Sequence, residues 1–464
     1  MACSAAFRGG ARPVRTDYDP PMPATRALDP LADPLLAAPL KGWPHGQPPL
    51  RASEVGAQGW HLLAGDLTLP VAVLRREALA HNIAWLAGQA RGWGVDLAPH
   101  GKTTMSPQLF ARQLAAGAWG ITFASVFQLA VGAAAGVRRA LIANQVMDAA
   151  DLAGIEALRR RHDGLRVIFL ADSAAQLALI EAWSAAHPDA RPFEVLLEIG
   201  FAGGRTGCRT EAEALALARR LHASPAVALA GIECYEGLWA KGDSAADRAW
   251  VDAMMDRVDA VAAQCVREGL FAGEEDEVIV SAGGSAVFDL VAARLVPALG
   301  RPEGPRVRGL LRSGCYVTHD HGTYARMLQA MAPRLGCACG DALRPALEVW
   351  ALVQSCPEPG LAIVGAGKRD LSFDMGMPVP VARAAPGALQ AGAVPAGWRI
   401  DALNDQHAYL RWDAADAALA AQAPVVGERI ALGISHPCTT FDKWRWMPVV
   451  DAEHRVTDAV TMVF

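Results

Sequence analysis

Lys102 is the residue in this chain whose position most invites chemistry. It lies in His100-Gly101-Lys102-Thr103-Thr104, between a short apolar segment of strand composition (Val95-Asp-Leu-Ala98) and a segment of helical spacing that opens on Pro107. Proline suits a first helical position, because the amide it lacks would have no intrahelical partner there. In a β/α architecture this puts the lysine at the C-terminal end of a strand, the face on which barrels keep their reacting groups. An amine held there, partly desolvated among apolar neighbours, has its pKa lowered and can act as nucleophile or base.

Three further groups belong with it. Ser281-Ala-Gly283-Gly284-Ser285 follows the strand-like Val278-Ile-Val and precedes a helical segment. Two glycines let the backbone approach an anion, and helix N-terminal amides would face a phosphate. A lysine and a phosphate turn on one barrel face suggest a phosphorylated carbonyl cofactor, pyridoxal 5'-phosphate, on a Schiff-base lysine. Arg205, in Gly203-Gly-Arg-Thr-Gly207, ends another strand and is placed to face the cofactor's pyridine nitrogen. Tyr235 ends the next and suits a phosphate or ring contact. Alone, either is as readily a loop or packing residue. In His436-Pro-Cys438, residues i and i+2 of an extended chain share a face, so an imidazole and a thiolate converge on one point. Those are ligand types zinc prefers, and two protein ligands leave positions open for water or substrate. His407 is either a polar neighbour of that pair or a core histidine. Cys337-Ala-Cys339 is too close and too isolated for a metal site.

The elements that must position these groups recur regularly. Strand-like runs stand at 69–74, 95–98, 120–124, 140–143, 166–170, 193–199, 227–233, 277–281 and 307–311. Helical patterns separate most of them, the clearest being Arg76–Gly92, Glu211–His222, Asp243–Glu268 and Val287–Leu295. Eight strands after the first, each followed by helix or turn, predict an α/β fold, a (β/α)8 TIM barrel over residues 69–320. A doubly wound sheet is the alternative that strand counting leaves open. Short β-like runs between Gly/Pro turns predict a mostly antiparallel C-terminal β domain over 321–464 that carries the metal pair. The strand near 55–74 pairs either with the barrel or with that domain. Residues 1–50, rich in Pro, Ala and Arg, have no apolar signal core and are expected to be a loosely packed arm.

Composition narrows the class. With 52% hydrophobic and 20% charged residues over 464 positions, the chain can bury a large core. A formal charge of −5 without a basic stripe argues against nucleic acid as a partner. The uncharged run 113–137 is broken by Gly117, Gly120, Gly132 and Gly136 and parses as helix end, strand and next helix, so no membrane span is expected. Nine scattered cysteines argue against a disulfide framework and for a reducing, cytoplasmic setting.

Together these residues resemble the D-threonine aldolase and D-serine dehydratase group of pyridoxal-phosphate enzymes, which share the alanine-racemase-like fold. The likeness runs from about Leu69 to the C-terminus. It is carried by Pro99-His-Gly-Lys102-Thr-Thr, Gly117-Ala-Trp-Gly-Ile-Thr, Leu141-Ile-Ala-Asn-Gln-Val146, Gly204-Arg205-Thr-Gly207 and His436-Pro-Cys438-Thr-Thr-Phe-Asp442. The resemblance implies an alanine-racemase-type barrel binding pyridoxal phosphate through Lys102, a divalent metal on the β domain, and a homodimer. Its His-x-Cys pair looks like the dehydratase branch, whereas the aldolase branch tends to offer His-x-Asp. The implied activity is β-elimination from 3-hydroxy D-amino acids such as D-serine or D-threonine, with Zn2+ as the metal on ligand softness. The nearest alternative is retro-aldol cleavage. A carrier of pyridoxal phosphate without chemistry is the alternative of another class. Many relatives have His-Ala-Lys or His-Val-Lys where this chain has His100-Gly101-Lys102, a change expected to enlarge the space beside the lysine.

Overall fold

The computed structural model describes residues 31–297, 299 and 305–464. The expected loose arm over residues 1–50 needs correction for its last twenty positions; residues 1–30 lie outside the described residues. Strands β1 (Leu35–Leu36) and β2 (Leu50–Arg51) pair antiparallel. Trp43, between them, is buried edge-on against Trp60 and Trp446, with ring centroids 5.4 and 5.1 Å away. Lys41 places its ammonium 3.8 Å from the centroid of the Trp444 ring and 3.0 Å from Asp370. A few aromatic anchors outweigh a composition that averages as polar and Pro-rich.

Strand β3 (Val71–Arg75) does not enter the barrel. It lies between two strands of the C-terminal sheet, antiparallel to one and parallel to the other. The barrel proper comprises β4 (Asp96–Leu97), β5 (Ile121–Phe123), β6 (Arg139–Gln145), β7 (Arg166–Ala171), β8 (Phe193–Ile199), β9 (Val227–Cys234), β10 (Glu277–Ala282) and β11 (Arg306–Leu311). All eight run parallel in the order β4-β11-β10-β9-β8-β7-β6-β5. The two ends of this path meet: Trp119 N donates to Leu97 O at 2.7 Å and Thr122 N to Pro99 O at 2.9 Å. The sheet therefore closes, which removes the doubly wound alternative. Every residue of β7 and β8 is buried, as expected for strands covered on both faces.

Helices follow each strand where local signals place them. Pro107 opens Pro107–Ala115, Ser125 caps Val126–Ala134 by accepting from Gln128 N, and Thr210 with Glu213 forms a capping box on Glu211–Ala223. Inside the barrel, Ala98, Trp119, Leu141, Ile168, Leu170, Leu196, Ala230, Ile279 and Leu310 form an apolar plug. At its N-terminal end a buried ion network closes the floor. There Arg166 bonds Glu194 and Glu277, and Glu277 also takes Arg306 and Arg308.

The second sheet takes β3 together with β12 (Leu347–Glu358), β13 (Leu361–Val364), β14 (Val379–Ala384), β15 (Arg399–Leu403), β16 (Ala408–Arg411), β17 (Arg429–Gly433), β18 (Trp446–Val450) and β19 (Val456–Thr461). Apart from β3 with β18, its pairs are antiparallel. Among the described residues, no helix is long and apolar enough to cross a membrane.

Candidate active site

The strand alternation that fills the barrel with Leu and Ile turns polar at its C-terminal end. Glu198 of β8, Glu233 of β9, Ser281 of β10 and Arg312, just past β11, form a layer of buried polar side chains there. Arg312 donates to Glu233 Oε2 and Ser281 Oγ, both at 2.6 Å. Glu198 accepts from Thr206 Oγ1 at 2.6 Å and from Gln145. Burial pushes the Glu233 carboxyl up to about 8 against the opposing charge of Arg312. His100 completes the layer. Burial, and then the charges of Lys102 and Arg312, hold its pKa well below the usual value, so the imidazole is neutral. His100 Nδ1 and Glu233 Oε1 are buried with no hydrogen-bond partner. Two unpartnered polar atoms in one layer mark a place where a polar guest belongs.

Above this layer stands Lys102, in the single turn Gly101–Thr103 that follows β4. It is exposed at the mouth, not half-desolvated as the sequence suggested. The glycine before it also departs from expectation. A Cβ on Gly101 would meet Ile121 Cγ2 at 2.8 Å, Phe110 Cε1 at 2.9 Å and Phe123 Cε1 at 3.0 Å. No extra space lies beside the lysine, because two phenylalanines already fill it. Gly101→Val is expected to lower thermal stability by about 1–3 kcal/mol through overpacking, and to weaken cofactor retention by shifting the Lys102 turn. Differential scanning calorimetry with a cofactor titration checks both, and an unchanged Tm would refute the close packing.

Arg205 and Tyr235 do come together. The guanidinium lies 5.2 Å from the centroid of the tyrosine ring, and both line a small recess with Glu198, Thr206 and Leu238. Arg205, however, is exposed on the glycine-rich loop beyond β8, whereas the arginine inside the barrel is Arg312. Alternation could have found it, since Leu310 faces inward and Arg312 is two residues on.

The turn after β10 behaves as an anion-binding turn with an unforeseen anion. Gly283 N and Gly284 N donate to the carboxylate of buried Glu236, at 3.0 and 2.9 Å. A phosphate could take those two amides only after Glu236 releases them. Gly284 packs against Tyr235 and Gly237, where a Cβ would sit 3.3 Å from each, so the cradle is backbone-close. Ser285, next in the turn, is partly exposed. A free amine, two unpartnered polar atoms and an amide pair already holding a carboxylate fit an anionic carbonyl cofactor.

The metal-type pair lies next to this mouth. His436 precedes, and Cys438 lies in, the short helix Pro437–Phe441 after β17. Thr103, beside Lys102, has its Oγ1 3.4 Å from Cys438 Sγ. Asp374 accepts from His436 Nδ1 at 2.6 Å and from Thr439 at 2.8 Å, which fixes the imidazole ring. Burial disfavours charge on His436, but Cys438 and Asp374 prevail and raise its pKa to about 9. The Cys438 thiol is held well below its usual range, first by the Cys315 thiol and then by His436. Among the described residues no set of three or more His, Cys, Asp or Glu could hold a metal. An imidazole and a thiolate with the remaining positions open fit a reactive metal site better than a structural one. His407 is exposed at the turn between β15 and β16, which removes the core-histidine alternative. Sequence reasoning missed Thr103, Cys315, Asp374 and Glu236.

Residues 74–294 match the family model for the alanine racemase N-terminal domain, and residues 346–450 match a putative serine dehydratase domain. The D-threo-3-hydroxyaspartate dehydratase of Delftia sp. (strain HT23) is 30% identical over 384 residues, covering 81% of this chain and 92% of that protein. The chain belongs to the D-threonine aldolase and D-serine dehydratase-like family. Within this family it is also 28% identical over 377 residues to the D-threonine aldolase of Arthrobacter sp, covering 80% of this chain and 86% of that one. The crystal structure of D-threonine aldolase from Filomicrobium marinum superposes with a TM-score of 0.71 at 26% identity, covering 87% of this chain and 97% of that one. A cysteine-to-alanine mutant of D-threo-3-hydroxyaspartate dehydratase has been solved in a metal-free form.

Proposed function

We propose that the chain is a pyridoxal-phosphate- and zinc-dependent lyase that eliminates the β-hydroxyl of 3-hydroxy D-amino acids, releasing a 2-oxo acid and ammonia. The observation that carries this reading is the contact of Thr103 with Cys438, which sets the imidazole–thiolate pair of the β domain beside the turn that carries Lys102. Amine and metal pair thus serve one substrate. In this reading Lys102 holds the cofactor, and Tyr235, Gly283, Gly284 and Ser285 surround its phosphate once Glu236 has moved. Bound there, pyridoxal phosphate supplies an electron sink for the bond breaking at Cα. A zinc ion on His436 and Cys438 supplies Lewis acidity toward a hydroxyl.

The remaining work falls to the chain's own side chains. Lys102 would be the base that removes the Cα proton from the face it occupies. The neutral imidazole of His100 and the Glu233–Arg312 pair lie beneath and exclude water from the barrel side. Asp374 keeps Nδ1 of His436 engaged, so the opposite nitrogen is the one available to a metal.

Retro-aldol cleavage is the second reading, favoured by the likeness to the two D-threonine aldolases. The thiolate at position 438 and the 30% likeness to a dehydratase favour elimination. Product analysis with D-threonine, pyridoxal phosphate and zinc separates them. The expected products are 2-oxobutyrate and ammonia. Glycine and acetaldehyde would overturn elimination in favour of the aldolase.

A further inference from the structure

The end of β11 brings a second cysteine to the metal pair. Cys315 follows Arg312-Ser-Gly, in the turn Cys315–Val317, and is buried; Cys438 lies in the helix Pro437–Phe441 and is partly exposed. Their Sγ atoms stand 3.5 Å apart, although 123 positions separate the residues. Thr103 Oγ1 touches both, at 3.9 Å from Cys315 Sγ and 3.4 Å from Cys438 Sγ. One sulfur belongs to the barrel and the other to the β domain. Both sit against the turn that carries Lys102.

We propose that Cys315 and Cys438 form a reversible disulfide, a modification site that fastens the barrel to the β domain across the mouth of the active site. The oxidant is a low-molecular-weight disulfide such as oxidised glutathione. Cys438, the less buried of the two, gives up its proton and attacks one sulfur of the oxidant, breaking its S–S bond and expelling one thiolate, which leaves a mixed disulfide on Cys438. Cys315 gives up its proton and attacks the Cys438 sulfur, expelling the second thiolate and closing the protein disulfide. The two protein thiols lose two electrons and two protons, and the oxidant is reduced to two thiols, so the exchange balances. The asymmetry of burial assigns the order: the partly exposed Cys438 meets the oxidant and the buried Cys315 resolves it. The sulfurs, at 3.5 Å, are already in contact and have little further to travel to the roughly 2 Å of a bond. If the reading of Cys438 as a metal ligand holds, the same step removes the thiolate that zinc requires, so metal occupancy and oxidation exclude one another.

The test is intact-protein mass spectrometry on chelator-treated wild type and Cys315→Ala after exposure to oxidised glutathione, followed by non-reducing peptide mapping. Wild type is expected to lose two hydrogens with no retained glutathione, and to yield a peptide pair joined through Cys315 and Cys438. In Cys315→Ala the reaction is expected to stop at a glutathione adduct on Cys438. A persistent adduct on wild type, no mass change, or linkage through Cys337 or exposed Cys356 would overturn the proposal. If the cross-link forms and zinc binding, followed with a chromophoric chelator, is unaltered, the metal assignment fails while the disulfide stands.

Discussion

Lys102→Ala protein, mixed with pyridoxal phosphate and desalted, is expected to emerge without the visible absorbance of a bound cofactor, while wild type retains it. The expectation follows from the site rather than from the residue type. His100, Arg312 and Arg205 surround the mouth without offering another amine, and the Gly283–Gly284 amides are engaged by Glu236. Loss of Lys102 removes the covalent anchor and the base together. A positioned base alone contributes about 10²–10⁴ in rate, so turnover should fall by at least that factor. The fold should survive, because Lys102 is exposed and its turn is held by Gly101 and Thr103 instead. Calorimetry on the same preparation separates a lost anchor from a lost structure. Retained absorbance at wild-type intensity would assign the cofactor to a different amine.

Chelation, or His436→Ala, is expected to leave the cofactor bound and to lower turnover of D-threonine by roughly 10³-fold. That corresponds to about 4 kcal/mol, within the several kcal/mol that a Lewis acid supplies to a departing oxygen. The same pair predicts how the metal depends on pH. Without metal, His436 titrates near 9 and the Cys438 thiol is held well below its usual range. At neutral pH the imidazole is therefore protonated. A metal takes the neutral imidazole, so binding expels one proton, and affinity should rise about tenfold per pH unit up to about 9. Zinc titrations at pH 6, 7 and 8 in competition with a chromophoric chelator measure this slope. A flat profile would show that His436 is neutral before the metal arrives, or that it is not a ligand.

Much of the fold was legible because the barrel strands are short apolar runs bracketed by strong turn and cap residues. Pro107, Glu211 and Asp243 mark helix starts that the structure reproduces to within a residue. Strand-end logic also located Lys102 and Tyr235. What escaped it is tertiary. Nothing local in Ser-Gly-Cys315 announces that position 438 will lie against it, and Asp374 reaches His436 from 62 residues away. Arg205 drew notice because it stands in a glycine-rich motif, while Arg312 in an unremarkable strand end lies inside the barrel. Residues 31–50 were misjudged because averaging over Pro, Ala and Arg conceals what Trp43 and Lys41 do individually. For β3, alternation reveals a strand but not which sheet will accept it.

The place of β3 between β12 and β18 imposes a schedule on synthesis. Val71-Ala-Val-Leu74 leaves the ribosome early, yet the first strand that can pair with it begins at Leu347, roughly 270 residues later, or about 14–54 s at ordinary elongation rates. Throughout that interval the apolar run 71–74 stays unpaired, and the barrel itself cannot close until β11 ends at Leu311, shortly before β12 begins. The nascent chain thus carries an unpaired apolar strand for the whole of that interval, an edge open to pairing with sister chains. Moving residues 31–75 to the C-terminus, after Phe464, would let β3 emerge when its neighbours already exist.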